Sequence, residues 1–355
     1  MKPIDRGAAR RILIRAVNWI GDAVMTTPAV DTIRANFPGA EITLLANPAI
    51  SPLFTPYHGV DRVITFDRNG PHRGVIGRLR LAAELRKHSF DLAIMFPNSF
   101  DAALVPFLAG IPLRLGKDSD ARGLLLTHRY PRALQRPDSH QVLNYLTMLE
   151  YFGLQPGKAR LRLQTSASED GDLEALLAGR GIGPKDLVLG INPGATFGSA
   201  KRWYPDHFAE TARELARRWG ARVVITGGPG ETGMASVIEE LLGGECVNLA
   251  GATSVRQLLA LIKRCDFFIT NDSGPMHIAA AFDVPLVAIF GPTDHRTTSA
   301  FFDRGVIVRR GAACAPCMLR ECPTDHRCMT AVSAAEVVEA ADTLYRGLSG
   351  SRGKL

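Results

Sequence analysis

The fold follows from one stretch near the start of the chain, Arg11-Ile-Leu-Ile-Arg-Ala-Val-Asn-Trp-Ile-Gly-Asp-Ala23. An apolar run of strand type leads into a turn with Gly21 and Asp22, and a helical segment begins directly after it. In parallel sheets covered by helices, ligands bind beyond the carboxyl ends of the strands, where such turns lie. The rest of the chain repeats this alternation, which predicts an α/β protein with doubly wound sheets.

The first 172 residues predict one Rossmann-like domain. Its predicted strands are Arg11–Val17, Glu41–Ala46, Arg62–Phe66 and Leu92–Met95, and its predicted helices are Ala23–Asn36, Gly77–Lys87, Asp101–Ala109 and His140–Phe152. The polar segment Gln155–Asp172 lacks a clear period and predicts a linker.

Residues 173–333 restart the alternation and predict a second domain of the same kind. The predicted strands are Leu187–Ile191, Arg222–Thr226, Phe267–Thr270 and Leu286–Phe290, and the predicted helices are Pro205–Trp219, Thr232–Leu242, Ser254–Arg264 and Gly274–Phe282. Residues 334–355 predict a last helix and a tail. Two domains fit a chain of 355 residues, at about 150 residues for each domain.

Composition excludes several classes of protein. The chain is 46% hydrophobic and 22% charged, which excludes wholesale disorder. It has no uninterrupted run of about 18 apolar residues, the length that a membrane-spanning helix needs. Residues 1–6 lack the apolar core of a signal peptide, so we expect a soluble cytoplasmic protein.

The positive charge is concentrated in the first half. Residues 1–170 hold 22 Lys and Arg against 15 Asp and Glu, whereas residues 171–355 hold equal numbers. The excess is densest in Arg62–Lys87 and Arg114–Arg136, which predicts an acidic small molecule or an anionic membrane as partner. Nucleic acid is disfavoured because interleaved aromatic residues are missing. The alternative is a solvated basic face without a partner.

Asp22 follows the first predicted strand and opens a helix. An acid at this place stabilises a helix N-terminus by capping and through the helix dipole. A general base would occupy the same place, at the carboxyl end of a strand. These residues alone leave both readings open.

A second candidate site is the loop Asn192–Trp203, which follows the strand Leu187–Ile191. Its small residues allow a ligand to approach the backbone, and Thr196, Ser199 and Lys201 offer donors to anionic oxygens. The Gly-Lys-Ser/Thr pattern of a P-loop is absent, which disfavours an NTPase of that class.

A third candidate site is the turn Thr270-Asn-Asp-Ser-Gly-Pro-Met-His277. Asp272 or Ser273 can cap the following helix, and its first N–H groups, together with Ser273 and His277, suit a diphosphate. A purely structural turn is the alternative, although it would need neither His277 nor so many donors.

Residues 228–233 match G-x-G-x-x-G after a predicted strand. A dinucleotide site would also need an acidic residue about 20 positions later, at the end of the next strand. That predicted strand, Cys246-Val247-Asn248, ends without one. Glu231, inside this segment, is nevertheless placed to accept a hydrogen bond from a ribose hydroxyl.

Four cysteines form a compact set near the end of the second domain, namely Cys314, Cys317, Cys322 and Cys328. Four thiols could bind a structural zinc ion or an iron–sulfur cluster. The paired C-x2-C spacing is incomplete, so reduced thiols or disulfides are the alternatives.

These motifs together resemble the lipopolysaccharide heptosyltransferases, glycosyltransferase family 9. The resemblance rests on Arg11–Ala29, on Asn192–Trp203, on Asn271-Asp-Ser-Gly-Pro-Met-His-Ile-Ala-Ala-Ala281 and on Gly291-Pro-Thr-Asp294. The cysteine stretch is similar to that of the heptosyltransferase II branch. The resemblance implies a GT-B architecture, in which two Rossmann-like domains face a central cleft.

The resemblance also implies an activity and roles for residues. The reaction is an inverting transfer of L-glycero-D-manno-heptose from ADP-heptose to the heptosyl-Kdo-lipid A inner core, without a required cofactor. Asp22 is implied as the base and Lys201 as the cation that binds the diphosphate. Glu231, Asp272, Ser273, Gly274 and His277 are implied as further donor-binding residues.

The implied acceptor belongs to the basic first domain, at the cytoplasmic face of the inner membrane. Acceptor-side candidates are Asn18, Trp19, Arg62, Arg68 and Arg73. Heptosyltransferase I activity, or another nucleotide-sugar enzyme of GT-B fold such as an epimerase, remains an alternative. A non-enzymatic module that binds nucleotides or nucleic acid is a further one.

Overall fold

Each half of the chain folds around its own six-stranded parallel sheet. The computed structural model describes residue 7 and residues 9–352, in two units that divide between Gln164 and Thr165. The predicted division after residue 172 would fall eight residues later, inside a helix. Residues 1–6, on which the expectation of no leader rests, lie outside the described residues, as do the last residues of the predicted tail.

In the described residues of the first unit, there are six strands and five α-helices. The strands are β1 (Arg11–Arg15), β2 (Glu41–Ala46), β3 (Arg62–Thr65), β4 (Leu92–Met95), β5 (Leu113–Lys117) and β6 (His128–Tyr130), and the helices are α1 (Ile20–Met25), α2 (Thr27–Asn36), α3 (Gly74–Lys87), α4 (Phe100–Leu108) and α5 (Gln141–Tyr151).

The strand order of the first sheet is β3-β2-β1-β4-β5-β6. The order reverses between β1 and β4, and this switch point is where doubly wound sheets bind ligands. Ile12, Leu13 and Ile14 of β1 are fully buried, because helices cover both faces of a parallel sheet.

As far as residue 352, the second unit has six strands and eight α-helices. The strands are β7 (Val188–Asn192), β8 (Arg222–Ile225), β9 (Cys246–Asn248), β10 (Phe267–Asn271), β11 (Leu286–Phe290) and β12 (Gly305–Arg309), and the helices are α6 (Ala167–Ala178), α7 (Pro205–Trp219), α8 (Thr232–Leu241), α9 (Val255–Arg264), α10 (Gly274–Ala281), α11 (His295–Thr298), α12 (Arg327–Thr330) and α13 (Ala334–Arg352).

The second sheet repeats the topology of the first, in the order β12-β11-β10-β7-β8-β9. Its switch point lies between β7 and β10, so the loops after Asn192 and Asn271 meet at one edge. The last helix, α13, belongs to this unit and packs on α7 and β12.

Several predicted elements differ from the structure. The predicted helix Ala23–Asn36 is two helices, because the hydroxyls of Thr26 and Thr27 bond back to the carbonyls of Ala23 and Val24 and Pro28 lacks an N–H. The predicted linker Gln155–Asp172 contains the first half of α6, which a capping box between Ser166 and Glu169 begins.

Three strands, β5, β6 and β12, were not predicted. They lie towards the edges of their sheets, and β6 has only three residues. No helix among the described residues is both long enough and apolar enough to cross a membrane.

Candidate active site

Two buried asparagines join the loops at the switch point of the second sheet. Asn271 accepts from the Trp203 backbone at 3.1 Å and donates to the Pro193 carbonyl at 2.7 Å. The Asn192 amide donates to Ser273 Oγ at 3.2 Å. The second and third predicted sites are therefore one site, and sequence reasoning missed the asparagines that connect them.

Lys201 forms an ion pair with Asp272 at the centre of this site. Their Nζ and Oδ2 atoms are 2.6 Å apart, and only 13% and 5% of the two side chains are exposed. Thr293, in the loop after β11, donates to the same carboxylate oxygen at 2.5 Å. Because both donors bind Oδ2 of Asp272, this oxygen holds the Lys201 ammonium in position.

Glu231 lies against the loop that follows β7. Its carboxylate accepts from the Gly228 backbone at 2.7 Å, and a Cβ on Gly194 would overlap it. The absence of a side chain at Gly194 leaves room for this position of the carboxylate. Glu231 therefore lies against the same loop that carries Lys201.

The remaining predicted donor-binding residues belong to the loop that carries Lys201 or to the start of α10. Thr196 and Ser199 are exposed, Ser273 and Gly274 begin α10, and His277 is buried in the first turn of that helix. The Phe197 ring lies between two cations, 4.9 Å from Lys201 Nζ and 5.4 Å from the Arg320 guanidinium carbon.

The cysteine-rich segment packs against the loop that carries Lys201. The Arg320 carbonyl accepts from the Ala200 backbone at 3.0 Å. His326 Nε2 is 2.7 Å from the Ala200 carbonyl, and its Nδ1 is 3.1 Å from Tyr204 Oη. Residues 314–328 therefore help to hold Lys201 in place through its backbone neighbours.

The four cysteines of this segment are free thiols. Burial raises the pKa of Cys328, and the charges of Cys314, Cys317 and Cys322 add to the shift, so the four lie in one neighbourhood. Within the described residues no three His, Cys, Asp or Glu side chains gather closely enough to hold a metal ion.

Asp22 lies at the switch point of the first sheet, after β1. It is the third residue of α1 and partly buried, whereas the N-cap position belongs to Trp19. Asp22 is thus an acid in a first helical turn but not the N-cap residue. Its position at the carboxyl edge of the sheet is the one that the sequence predicted.

A buried tyrosine and lysine lie near Asp22. Burial raises the pKa of the Tyr145 phenol, and the charge of Asp22 raises it further. Lys117 Nζ is 5.5 Å from the Tyr145 ring centroid, and burial lowers the pKa of this ammonium, with Arg122 as a second cause. Sequence reasoning missed both residues, because α5 and β5 are distant from Asp22 in the chain.

Two buried arginines add positive charge to the same edge. Arg15 is 4% exposed and Arg122 is fully buried. Burial lowers the pKa of each to about 10, and both stay charged at neutral pH. Arg15 donates to the Leu45 carbonyl at 3.1 Å and Arg122 to the Lys117 carbonyl at 2.8 Å. This edge can therefore attract an anionic ligand.

The predicted acceptor-side residues divide between the two edges of the first sheet. Asn18 and Trp19 flank Asp22, and Arg68 and Arg73 lie between β3 and α3, on the carboxyl edge. Arg62 is the first residue of β3 and lies 3.3 Å from Glu41, at the amino edge. The structure therefore does not bring Arg62 together with Asp22.

A family comparison identifies the family of the chain. The model of glycosyltransferase family 9 (heptosyltransferase) matches residues 78–327, more than half of the chain. This chain belongs to glycosyltransferase family 9. The resemblance that the motifs carried is thereby confirmed.

Relatives of this family 9 glycosyltransferase cover almost its whole length. It is 33% identical to the lipopolysaccharide heptosyltransferase 2 of Salmonella typhimurium, over 84% of this chain and 88% of the relative. It is 30% identical to the lipooligosaccharide heptosyltransferase 2 of Campylobacter jejuni, over 95% and 98%.

Solved structures confirm the fold class of this family 9 chain. The E. coli ADP-heptose LPS heptosyltransferase II superposes with a TM-score of 0.79 at 29% identity, over 96% of this chain and 99% of that one. A family 9 glycosyltransferase of Veillonella parvula superposes with a TM-score of 0.88 at 22% identity, over 98% and 99%. The implied GT-B class, with two Rossmann-like units, is confirmed.

Proposed function

We propose that this chain transfers L-glycero-D-manno-heptose from ADP-heptose to a heptosyl-Kdo-lipid A acceptor. The observation that carries the proposal is the similarity to heptosyltransferases 2 at 30% and 33% identity over most of the chain. It is supported by two polar sites, each at the switch point of a doubly wound sheet.

In the proposed reaction, an acceptor hydroxyl oxygen attacks the anomeric carbon of the heptose. A bond forms between these two atoms, while the bond from the anomeric carbon to the phosphate oxygen breaks on the opposite side. Asp22 accepts the hydroxyl proton, and the configuration inverts. A positioned base contributes about 10²–10⁴-fold, so binding and electrostatic stabilisation supply the rest.

The departing ADP takes the electron pair of the broken bond and gains negative charge. Lys201, held by Asp272 at 2.6 Å, and the N-terminal turn of α10 would stabilise that charge.

Because these donors supply the countercharge, we propose that transfer needs no metal cofactor. Added EDTA should leave turnover unchanged, and metal analysis of the purified protein will test for zinc at the cysteines.

The first unit would bind the acceptor. Residues 1–164 hold 22 Lys and Arg against 13 Asp and Glu. This excess of positive charge suits a phosphorylated, acidic glycolipid. We propose that the enzyme works as a peripheral protein at the cytoplasmic face of the inner membrane and that nucleic acid is not a partner.

The test is an incubation of the purified chain with ADP-heptose and two acceptors, Kdo-lipid A with and without one heptose. Mass spectrometry should show one added heptose on the acceptor that already carries a heptose. Preference for the heptose-free acceptor would indicate heptosyltransferase I activity instead. A change in ADP-heptose without acceptor would indicate an epimerase, and no change in any substrate would favour a binding module.

A further inference from the structure

The outward face of α3 combines exposed apolar residues with unpaired arginines. Val75, Ile76 and Leu79 are 75%, 67% and 50% exposed. Arg73 and Arg80 beside them are also exposed, and neither has an ion-pair partner within the described part of the chain. We call these five residues the α3 face.

The hydrophobic core of the first unit does not require apolar residues on the outward face of α3. The opposite side of α3 is already apolar: Leu81, Ala82 and Leu85 are buried with residues of β1, β2 and α4. An amphipathic surface helix normally presents polar residues to water, and grouped exposed aliphatic residues mark an interaction surface. The α3 face is therefore better explained by a partner than by folding.

The first half of α3 is held rigidly. A Cβ on Gly77 would overlap the backbone of His72, so the preceding loop lies tightly against the helix. Arg78 forms an ion pair with Asp101 at the start of α4, where Phe100 is a further exposed apolar side chain, at 41%.

We propose that the α3 face docks the enzyme on an anionic phospholipid surface, a proposal that rests on the proposed function for its biological setting. Aliphatic side chains enter the boundary between headgroups and acyl chains, while arginines pair with lipid phosphates. The excess of basic over acidic residues in the first unit provides the charge complementarity. Glu84 is the exposed acid nearest along the helix and lies a full turn beyond Arg80.

The position of the face agrees with a lipid-linked acceptor. The first half of α3 follows the carboxyl end of β3, and β3 is separated from β1 only by β2. The three strands are parallel and neighbouring strands are about 4.8 Å apart, so α3 begins at the same edge of the sheet as Asp22. Docking there would bring the membrane to the side of the sheet where the base lies.

The test measures co-sedimentation of the full chain with vesicles of pure phosphatidylcholine and with vesicles containing 30% phosphatidylglycerol. The wild type should bind the anionic vesicles, and V75S/I76S/L79S should bind them at least about tenfold more weakly. The matched control, V237S/L241S, changes two residues of α8 that are 44% and 43% exposed, and it should bind like the wild type. Vesicle binding needs neither ADP-heptose nor acceptor, so it succeeds or fails independently of the proposed activity.

Equal vesicle binding by V75S/I76S/L79S and the wild type would overturn the proposal, as would no binding by the wild type. If the wild type is a dimer that does not bind vesicles, and V75S/I76S/L79S is a monomer, then the α3 face is a contact between two copies of the chain. Circular dichroism of each variant checks that the fold is retained.

Discussion

Among single residues, Lys201 lies with only 13% of its side chain exposed, 2.6 Å from the carboxylate of Asp272, which is 71 positions away in the chain. We expect Lys201→Ala to weaken ADP binding about 10–150-fold, since a hydrogen bond to a charged group contributes about 1.5–3 kcal/mol. Calorimetric titration with ADP measures this change.

The matched control is Lys263→Ala. Lys263 is also paired with an aspartate in the second unit, but 42% of its side chain is exposed. ADP affinity should stay within about twofold of the wild type, because such surface pairs contribute about 0–1 kcal/mol. Equal losses in the two variants would place Lys201 outside the donor site.

Gly194 gives a second prediction at this scale. In Gly194→Ala the new methyl group would overlap the Glu231 carboxylate, so this carboxylate must turn away and give up its hydrogen bond from the Gly228 backbone. We expect a loss of about 0.5–1.5 kcal/mol of stability, as for one hydrogen bond, together with weaker ADP binding. Thermal unfolding and ADP titration measure both effects. Gly230→Ala, where a Cβ meets no atom within 4 Å, should change neither.

At the scale of elements, α6 and α9 are joined by an ion pair between Glu169 and Arg256. Its hydrogen bonds lower the pKa of Glu169 to about 2, below its ordinary value of about 4.3. The unfolded chain binds this proton more readily, so the pair stabilises the fold above about pH 4.3. That stabilisation is lost as the pH falls towards 2.

Glu169→Gln keeps a side chain that can complete the capping box but removes the charge. In urea unfolding, its deficit relative to the wild type should therefore be largest near pH 6 and shrink towards about pH 3. Glu210→Gln is the control, because Glu210 is exposed on α7 and forms no ion pair within the described part of the chain. A deficit that is independent of pH would contradict the electrostatic account of the α6–α9 contact.

The elements also show what the sequence could predict. Long alternating segments gave β1, β2, α7 and α9 nearly at their observed bounds, because their buried faces require continuous apolar residues. The sequence missed β6 and β12, which are short or at sheet edges, and α6, where Leu173 and Leu177 are its only described residues that are buried. The capping signal Ser166-x-x-Glu169 was available there and was overlooked.

The sequence predicts those site residues that follow the end of a strand. Asp22, Lys201 and Asp272 each follow a strand that the apolar pattern revealed. The contacts of Thr293 with Asp272, and of Asp22 with the Tyr145 environment, depend on strand order and on helix packing. Local pattern contains no information on those distances, so these partners had to come from the structure.

At the scale of the whole molecule, the basic charge of the first unit is divided between two edges of its sheet. Arg68 and Arg73 lie on the edge of Asp22, whereas Arg62 and Lys87 lie at the other edge. R68Q/R73Q should therefore raise the acceptor KM several-fold and leave the ADP-heptose KM unchanged. R62Q/K87Q removes equal charge and should change neither. Equal effects of the two pairs would indicate attraction by net charge alone.

In the proposed reaction, Asp22 removes the proton from the acceptor while the second unit binds ADP-heptose. The turnover number of Asp22→Asn, measured together with its affinity for ADP, tests this division of roles. We predict that turnover falls at least about 100-fold and that ADP affinity stays within about twofold. Asp206→Asn, which alters an acid in the first turn of α7, should retain full turnover. Near-normal turnover of Asp22→Asn, or a loss matched by Asp206→Asn, would contradict the claim and leave Asp22 only a role at the helix N-terminus.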